Sequence, residues 1–338
     1  MHWATTLPTP LNRQVRFLLR IRVVIVGLIF IDSGNKASLF STIRGYIYTL
    51  YLFTASDFAA VLIPQTLFAL FSSGSNQFAS SRHAALSPTT SLSRLPHTII
   101  WIWLQLLCLD LSNQRQPDAI AEDALNKPWR PIPSQRITSE GTRRLLAVSI
   151  VGTLAASTYL SGTSETLILF ASNWLYNDLE LSSEHWIVRN VMNGIGITTI
   201  GLGALRVICG PGYDLDPDSL LKWWLLCAGM ITTTIHAQDL YDQEGDAARG
   251  RKTAPLVLGD ATARWTIAVA VTSWSVAMPA LLGLDIVEDW FGYLAPLLLG
   301  SLVVIRMLVL RTVPDDKRTF KAWAAWTICL YALPLVRG

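Results

Sequence analysis

Asp239-Leu-Tyr-Asp242-Gln-Glu-Gly-Asp246-Ala-Ala-Arg-Gly-Arg-Lys-Thr253 follows closely on the apolar run Leu220–Ile235. Asp239, Asp242 and Asp246 stand at i, i+3 and i+7, so on a helix they share one face. Three carboxylates on one face at the end of a membrane-length helix repel each other and need a counter-charge. A hard divalent cation with oxygen ligands supplies it. Arg249, Arg251 and Lys252 come next, with Gly245 and Gly250 loosening the backbone. Acid for a metal followed by base for phosphate is the order expected of a metal–diphosphate site.

Working outward, the composition is that of a membrane protein. Half of the 338 residues are hydrophobic and only 15% are charged, against about 25% charged in soluble domains. The apolar residues come in runs long enough to cross a bilayer. The net charge of +3 and the lack of a basic–aromatic array argue against nucleic acid. Cys108, Cys209, Cys227 and Cys329 lie in or beside apolar runs without metal-type spacing, and read as membrane-buried thiols.

Residues 1–43 differ from the rest. Arg13, Arg16, Arg20 and Arg22 precede any acid, and Val23–Ile31 is too short to span. A signal peptide, a transit-like segment and an interfacial anchor all fit, and we expect a poorly ordered or interfacial extension. Residues 44–338 form the transmembrane domain. Its expected spans are 45–71, 95–112, 143–161, 164–178, 187–208, 219–238, 263–283, 290–310 and 320–336. The expected fold is therefore all-α, a polytopic bundle of nine transmembrane helices, because lipid-exposed backbone must satisfy its own hydrogen bonds.

The loops give the orientation. Arg115, Lys127, Arg130, Arg136, Arg143 and Arg144 fill the loop after the second span, and Arg249, Arg251, Lys252 and Arg264 the loop after the sixth. Arg311, Lys317 and Arg318 follow the eighth. The intervening loops carry Asp214, Asp216 and Asp218, then Asp285, Glu288 and Asp289. That alternation places the basic loops, and the acidic motifs among them, in the cytosol.

A second acidic segment ends the second expected span: Asp110-Leu-Ser-Asn113-Gln-Arg-Gln-Pro-Asp118-Ala-Ile-Ala-Glu122-Asp123-Ala-Leu-Asn126-Lys-Pro-Trp-Arg130-Pro-Ile-Pro. Asp118 and Glu122 stand at i, i+4, Asn113 offers a neutral oxygen, and Lys127 and Arg130 follow. Two such segments on one membrane face can close over a single diphosphate.

With these residues the chain resembles the UbiA superfamily of intramembrane prenyltransferases, over roughly 45–336. The segment from Asp239 to Thr253 matches that family's second motif, D-x-x-D-x-x-G-D-x-x-x-G-R-K-T, without a gap. Asn126-Lys-Pro-Trp-Arg-Pro131 matches the tail of its first, N-x-P-x-R-P. Leu52-Phe-Thr-Ala-Ser-Asp57, Trp174-Leu-Tyr-Asn-Asp178 and Val188-Arg-Asn-Val-Met-Asn193 look like a fungal branch that includes class I terpene cyclases.

The resemblance implies nine transmembrane helices, Mg²⁺ and an isoprenyl diphosphate, farnesyl or geranylgeranyl, handled in an endomembrane, the endoplasmic reticulum. Nothing in it calls for a protein partner. It implies metal ligands at Asn113, Asp118, Glu122, Asp123, Asp239, Asp242 and Asp246, with Asp118, Asp123, Asp239 and Asp242 catalytic. Substrate would be held by Asn113, Lys127, Arg130, Tyr176, Arg189, Asn193, Arg251 and Lys252. Two departures stand out. Each gap in the first motif is one residue longer than usual, which leaves Asp118 and Glu122 competing for the middle acid. The Y-P-x-x-K-R segment of many prenyltransferases is absent, and Tyr176-Asn-Asp-Leu-Glu180 stands there.

Ionisation of an allylic diphosphate requires the leaving charge to be neutralised by metal and by Arg130, Arg251 and Lys252. The resulting cation needs a dry chamber. Aromatic faces stabilise it by about 1–2 kcal/mol each, with Trp101, Trp103, Trp174, Tyr176, Trp223 and Trp274 as candidates. For a single Trp, packing or an interfacial belt is the blander reading. Asp57 reads as a helix-packing residue or site wall, and His236 as a satisfied packing group ahead of a general base. The favoured function is cyclisation to a terpene, with prenyl transfer to an aromatic or other acceptor close behind. An ion-coupled transporter would instead place acids at midplane.

Overall fold

The computed structural model describes residues 39–336, which are helical throughout apart from loops and one isolated β-bridge, Ala79–Leu215. The expected extension lies outside the described residues as far as 38, and Leu39 already opens α1 (Leu39–Thr54). A 3₁₀ turn, Ala55–Asp57, and a π turn, Phe58–Leu62, join α1 to α2 (Ile63–Ser73). Then come α3 (Pro88–Gln114), α4 (Pro117–Asn126), α5 (Ser139–Leu160) and α6 (Thr163–Asn173), which ends in a second π turn, Trp174–Asp178. After α7 (Trp186–Cys209) and α8 (Pro217–Thr234) the chain makes two short helices, α9 (Gln243–Ala248) and α10 (Ala254–Leu258). Three long ones follow: α11 (Asp260–Leu281), α12 (Trp290–Val309) and α13 (Val313–Tyr331).

Local chemistry sets these boundaries. Pro88, Pro117 and Pro217 each open a helix where the missing N–H costs nothing. Ser87, Thr138 and Asp216 cap the backbone of Thr90, Gly141 and Ser219. Lys127 leaves helical geometry ahead of Pro128, closing α4.

Among the described residues, five segments are long and apolar enough to cross a membrane: 43–73, 88–114, 186–209, 290–309 and 313–336. The other four expected spans are helical but shorter or more polar. α6 has 11 residues, about 16 Å at the helical rise and half a hydrocarbon core. α5, α8 and α11 are interspersed with Ser, Thr and charged residues.

α7 is the hub and packs on α2, α3, α6 and α8. It can do so closely because a Cβ on Gly203 would stand 2.1 Å from the Trp101 ring, and one on Gly194 2.3 Å from the Thr232 hydroxyl. Buried polar groups find partners across helices. Trp101 Nε1 donates to Ser157 (2.9 Å), Gln105 to Thr166 (2.8 Å) and Gln65 to the Tyr331 hydroxyl (3.1 Å). All four cysteines are free thiols, as the sequence leads one to expect. Arg115–Asp178, Lys127–Asp242, Arg189–Asp239 and Arg251–Glu122 gather the ends around residues 114, 126, 178, 239 and 253 at one end of the bundle. Glu165–Arg206 and the Ser80–Asp214 backbone contact mark the other.

Candidate active site

The two acidic segments meet through α4 and α9. Gly245 makes the contact possible, since a Cβ there would lie 2.1 Å from the Asn126 amide. Asn126 Nδ2 donates to the Asp242 carbonyl (3.3 Å) and Lys127 Nζ to the Asp242 carboxylate (3.0 Å). Gly250, at φ +75°, turns the chain back so that Arg251 N reaches the Asp246 carbonyl (2.9 Å). Arg251 Nη1 thereby sits between Glu122 (3.0 Å) and Asp246 (3.3 Å), and Arg249 Nη1 binds the same Glu122 (2.9 Å).

Further pairs complete the cluster. Arg130 Nη1 donates to Asp123 (2.7 Å). Arg189, on α7, donates to Asp239 (3.0 Å) and to the Tyr176 hydroxyl (2.8 Å). Glu122, Asp123, Asp239 and Asp246 are buried, as are Arg130, Arg189 and Arg251. Burial raises the Asp239 and Asp123 carboxyls despite their arginines, and pushes Asp246 up to about 6. Burial also acts on Glu122, but Arg251 and Arg249 outweigh it and hold this carboxyl below the usual range. The raised groups mark places where negative charge is under-compensated.

The expected seven-ligand metal cluster is not assembled: among the described residues no three acidic, His or Cys side chains are grouped to hold a metal. Glu122, Asp123, Asp239, Asp242 and Asp246 each pair instead with an arginine or lysine. The residues nonetheless fit a hard divalent ion. Asp123 Oδ2, Asp239 Oδ2 and Asp246 Oδ2 are all buried without a hydrogen-bond partner, so the cluster still offers unused oxygen donors.

Not every expected residue is in the cluster. Asp118 is exposed in the first turn of α4 and makes no described contact, one turn away from where Glu122 packs on α9. Glu122 therefore takes the inner place between the two candidates. Lys252 is also exposed and unpaired, because the turn at Gly250 that carries Arg251 inward sends its neighbour outward. Asn193 lies one turn beyond Arg189, half-buried, with its Nδ2 unpartnered. Asn113 ends α3 and donates to Asn177 (2.7 Å).

The structure also adds residues. Arg130 reaches Ser56 (3.5 Å), and although its burial opposes the charge, Asp123, Asp110 and Asp57 together raise it. Burial raises Tyr241 as well, with Asp242, Asp239 and Asp57 adding. The 3₁₀–π break in the first span brings Asp57 near enough to Arg130 and Tyr241 to act on both, a feature no residue pattern announces. His236 is a packing group: it contacts Asn190 and Thr266, at 3.0 Å each.

A cavity of about 410 Å³ opens beside Asp242, lined by Asn126, Tyr241, Asp260, Arg264, Arg311 and Lys317 among others. Towards the bundle centre, Gln65, Phe68, Thr198, Trp223, Cys227 and Tyr331 line only a narrow void without room for a water. The expected isoprenoid chamber is thus closed at this point. Phe68 stacks on Trp223 (5.8 Å between centroids) and meets Tyr331 edge-on (5.3 Å), so the rings fill it themselves. Among the aromatic candidates Trp223 borders this void, Trp101 packs on Gly203, and Trp174 is exposed.

A model of the UbiA prenyltransferase family matches residues 97–328. The fumagillin beta-trans-bergamotene synthase of Aspergillus fumigatus is 32% identical over 236 residues, 70% of this chain and 75% of that protein. A polyprenyl transferase of Hericium erinaceus is 28% identical over 269 residues, 79% of this chain and 85% of that protein. Among solved structures, a UbiA homolog from Archaeoglobus fulgidus bound to GPP and Mg²⁺ has a TM-score of 0.57 at 13% identity, over 85% of this chain and 99% of that one. With both motifs meeting at one end of the bundle and the family match spanning most of the described helices, this chain belongs to the UbiA prenyltransferase family of membrane enzymes.

Proposed function

We propose that the protein ionises an isoprenyl diphosphate, farnesyl or geranylgeranyl, and cyclises the resulting cation to a terpene. The observation that carries this reading is the closure of α4 on α9, which interleaves buried carboxylates with buried arginines. Asp123, Asp239 and Asp246 have buried oxygens to spare for a cation, and Glu122, Asp242 and the Asn113 amide are the further ligands of this reading. Mg²⁺ bound there supplies Lewis-acid charge against the leaving pyrophosphate. Lys127, Arg130, Arg189, Arg249 and Arg251 exchange a carboxylate partner for a diphosphate oxygen, each a charge-assisted bond. The Tyr176 hydroxyl accepts from Arg189, which leaves its own proton free to donate. Phe68, Trp223 and Tyr331 part to admit the chain, keep water out and present ring faces to the cation. Nine membrane crossings, with the site facing the cytosol in the endoplasmic reticulum, complete the reading.

The similarity to the Aspergillus fumigatus bergamotene synthase favours cyclisation. The Hericium erinaceus polyprenyl transferase keeps acceptor prenylation as the second reading. Purified protein in nanodiscs with Mg²⁺ and farnesyl or geranylgeranyl diphosphate tests both. Hydrocarbon from diphosphate alone, lost on chelation of Mg²⁺, is the expected result. Diphosphate left untouched until a phenol is added, followed by a prenylated phenol, would replace cyclisation with transfer.

A further inference from the structure

The π turn Trp174–Asp178 lies against the end of α3 and makes contacts with three consecutive side chains. Tyr176 accepts from Arg189 (2.8 Å), the partner of Asp239. Asp178 takes Ser112 Oγ (3.2 Å) and pairs with Arg115. Between them, Asn177 is buried, at 2% exposure, and accepts from Asn113 Nδ2 (2.7 Å). Asn177 Nδ2 in turn donates to Asn173 Oδ1, and Asn173 Nδ2 to the Cys108 carbonyl (3.4 Å). Turns of this kind collect at functional sites.

The direction of this chain of amides is not arbitrary. A carbonyl can only accept, so Cys108 demands the NH₂ of Asn173. That turns the Asn173 oxygen to Asn177, whose NH₂ must face it, and the Asn177 oxygen then faces Asn113. Flipping any one amide would set donor against donor or acceptor against acceptor. The last amide, Asn113, is left with its NH₂ engaged and its oxygen accepting from no described group.

We propose that Asn177, held by Asn173, is a positioning residue that presents the Asn113 amide oxygen as a neutral ligand for the divalent cation. This rests on the metal–diphosphate reading above. Such outer contacts fix the orientation of a ligand and are worth about 10–100-fold in metal affinity.

The test is Mn²⁺ binding to the purified chain in detergent, read by electron paramagnetic resonance, so that turnover is not needed. Asn177→Leu should weaken Mn²⁺ by about tenfold or more, and Asn173→Ala less, in the same direction. Melting without metal should show both folded. Combining Asn177→Leu with Asn113→Ala should give no weaker binding than Asn113→Ala alone, because one acts through the other. Wild-type affinity in folded Asn177→Leu and Asn173→Ala, or losses that add in full, would overturn the proposal while leaving the diphosphate reading intact. A wild-type chain that binds no Mn²⁺ would overturn both.

Discussion

Asp239 and Arg189 are 50 residues apart and meet at 3.0 Å with almost no exposure, whereas Asp242 pairs with Lys127 nearer the surface. The two aspartates of one motif should therefore fail differently. Asp239→Ala leaves a buried guanidinium unpaired, a loss of about 3–5 kcal/mol, and Asp239→Asn should retain more stability. Asp242→Ala should cost about 1 kcal/mol or less. Both alanine variants should abolish pyrophosphate release. Denaturant melts in detergent beside a pyrophosphate assay separate the two effects, and turnover in folded Asp242→Ala would take that residue out of the site. Glu122 and Asp118 give a second contrast. Glu122→Gln removes the shared partner of Arg249 and Arg251 and should cut turnover by orders of magnitude. Asp118→Ala, changing an exposed side chain, should stay within about twofold, since surface changes cost about 0.5 kcal/mol or less.

At the scale of helices, Arg264 joins three of them. From α11 it holds Asp316 of α13 with both Nη atoms (2.7 and 2.8 Å), and it caps the Met307 carbonyl of α12 (3.0 Å). Arg264 and Asp316 are both buried. Bidentate pairs of this geometry are strong, but their desolvation is expensive. Arg264→Ala should lose about 3–5 kcal/mol, and the double variant Arg264→Met with Asp316→Leu should recover much of it. Thermal melts of the two variants would show this, and equal destabilisation would mean that the pair does more than satisfy itself. The same link ties α11–α13 into one unit, which packs beside α8 and α2. It could not be read from the sequence, where Arg264 counted only as a basic loop residue marking the cytosolic side.

For the whole molecule, both acidic segments and the basic loops come to one end of the bundle, and the acidic loops lie at the other. Cysteines introduced at Leu125 and Lys252, both exposed, should label from the same side of a sealed vesicle with an impermeant maleimide. Cysteines at Asp214 and Asp285, also exposed, should label only from the opposite side. Labelling of 125 and 252 from different sides would break the shared site. The native thiols are buried or half-buried and give little background.

Much of this was legible from residue spacing alone. Apolar runs separated by charged loops dictate helices in lipid, since no other backbone arrangement satisfies itself there. Carboxylates at i, i+3 and i+7 before a Gly-Arg-Lys turn announce charged chemistry at a helix end, because that pattern is unstable without a counter-ion. The partners were not legible. Which base neutralises which acid depends on helices far apart in the chain, and so Arg249 went from a passing base to a buried partner of Glu122 while Lys252 went outward. Asp57 and Asn177 reached the site through a 3₁₀–π break and a π turn, irregularities with no sequence signature. The sequence determined that two acid-and-base segments follow apolar helices. Only the tertiary structure decided which side chains are buried together, because burial and pairing are properties of helix packing and not of residue order.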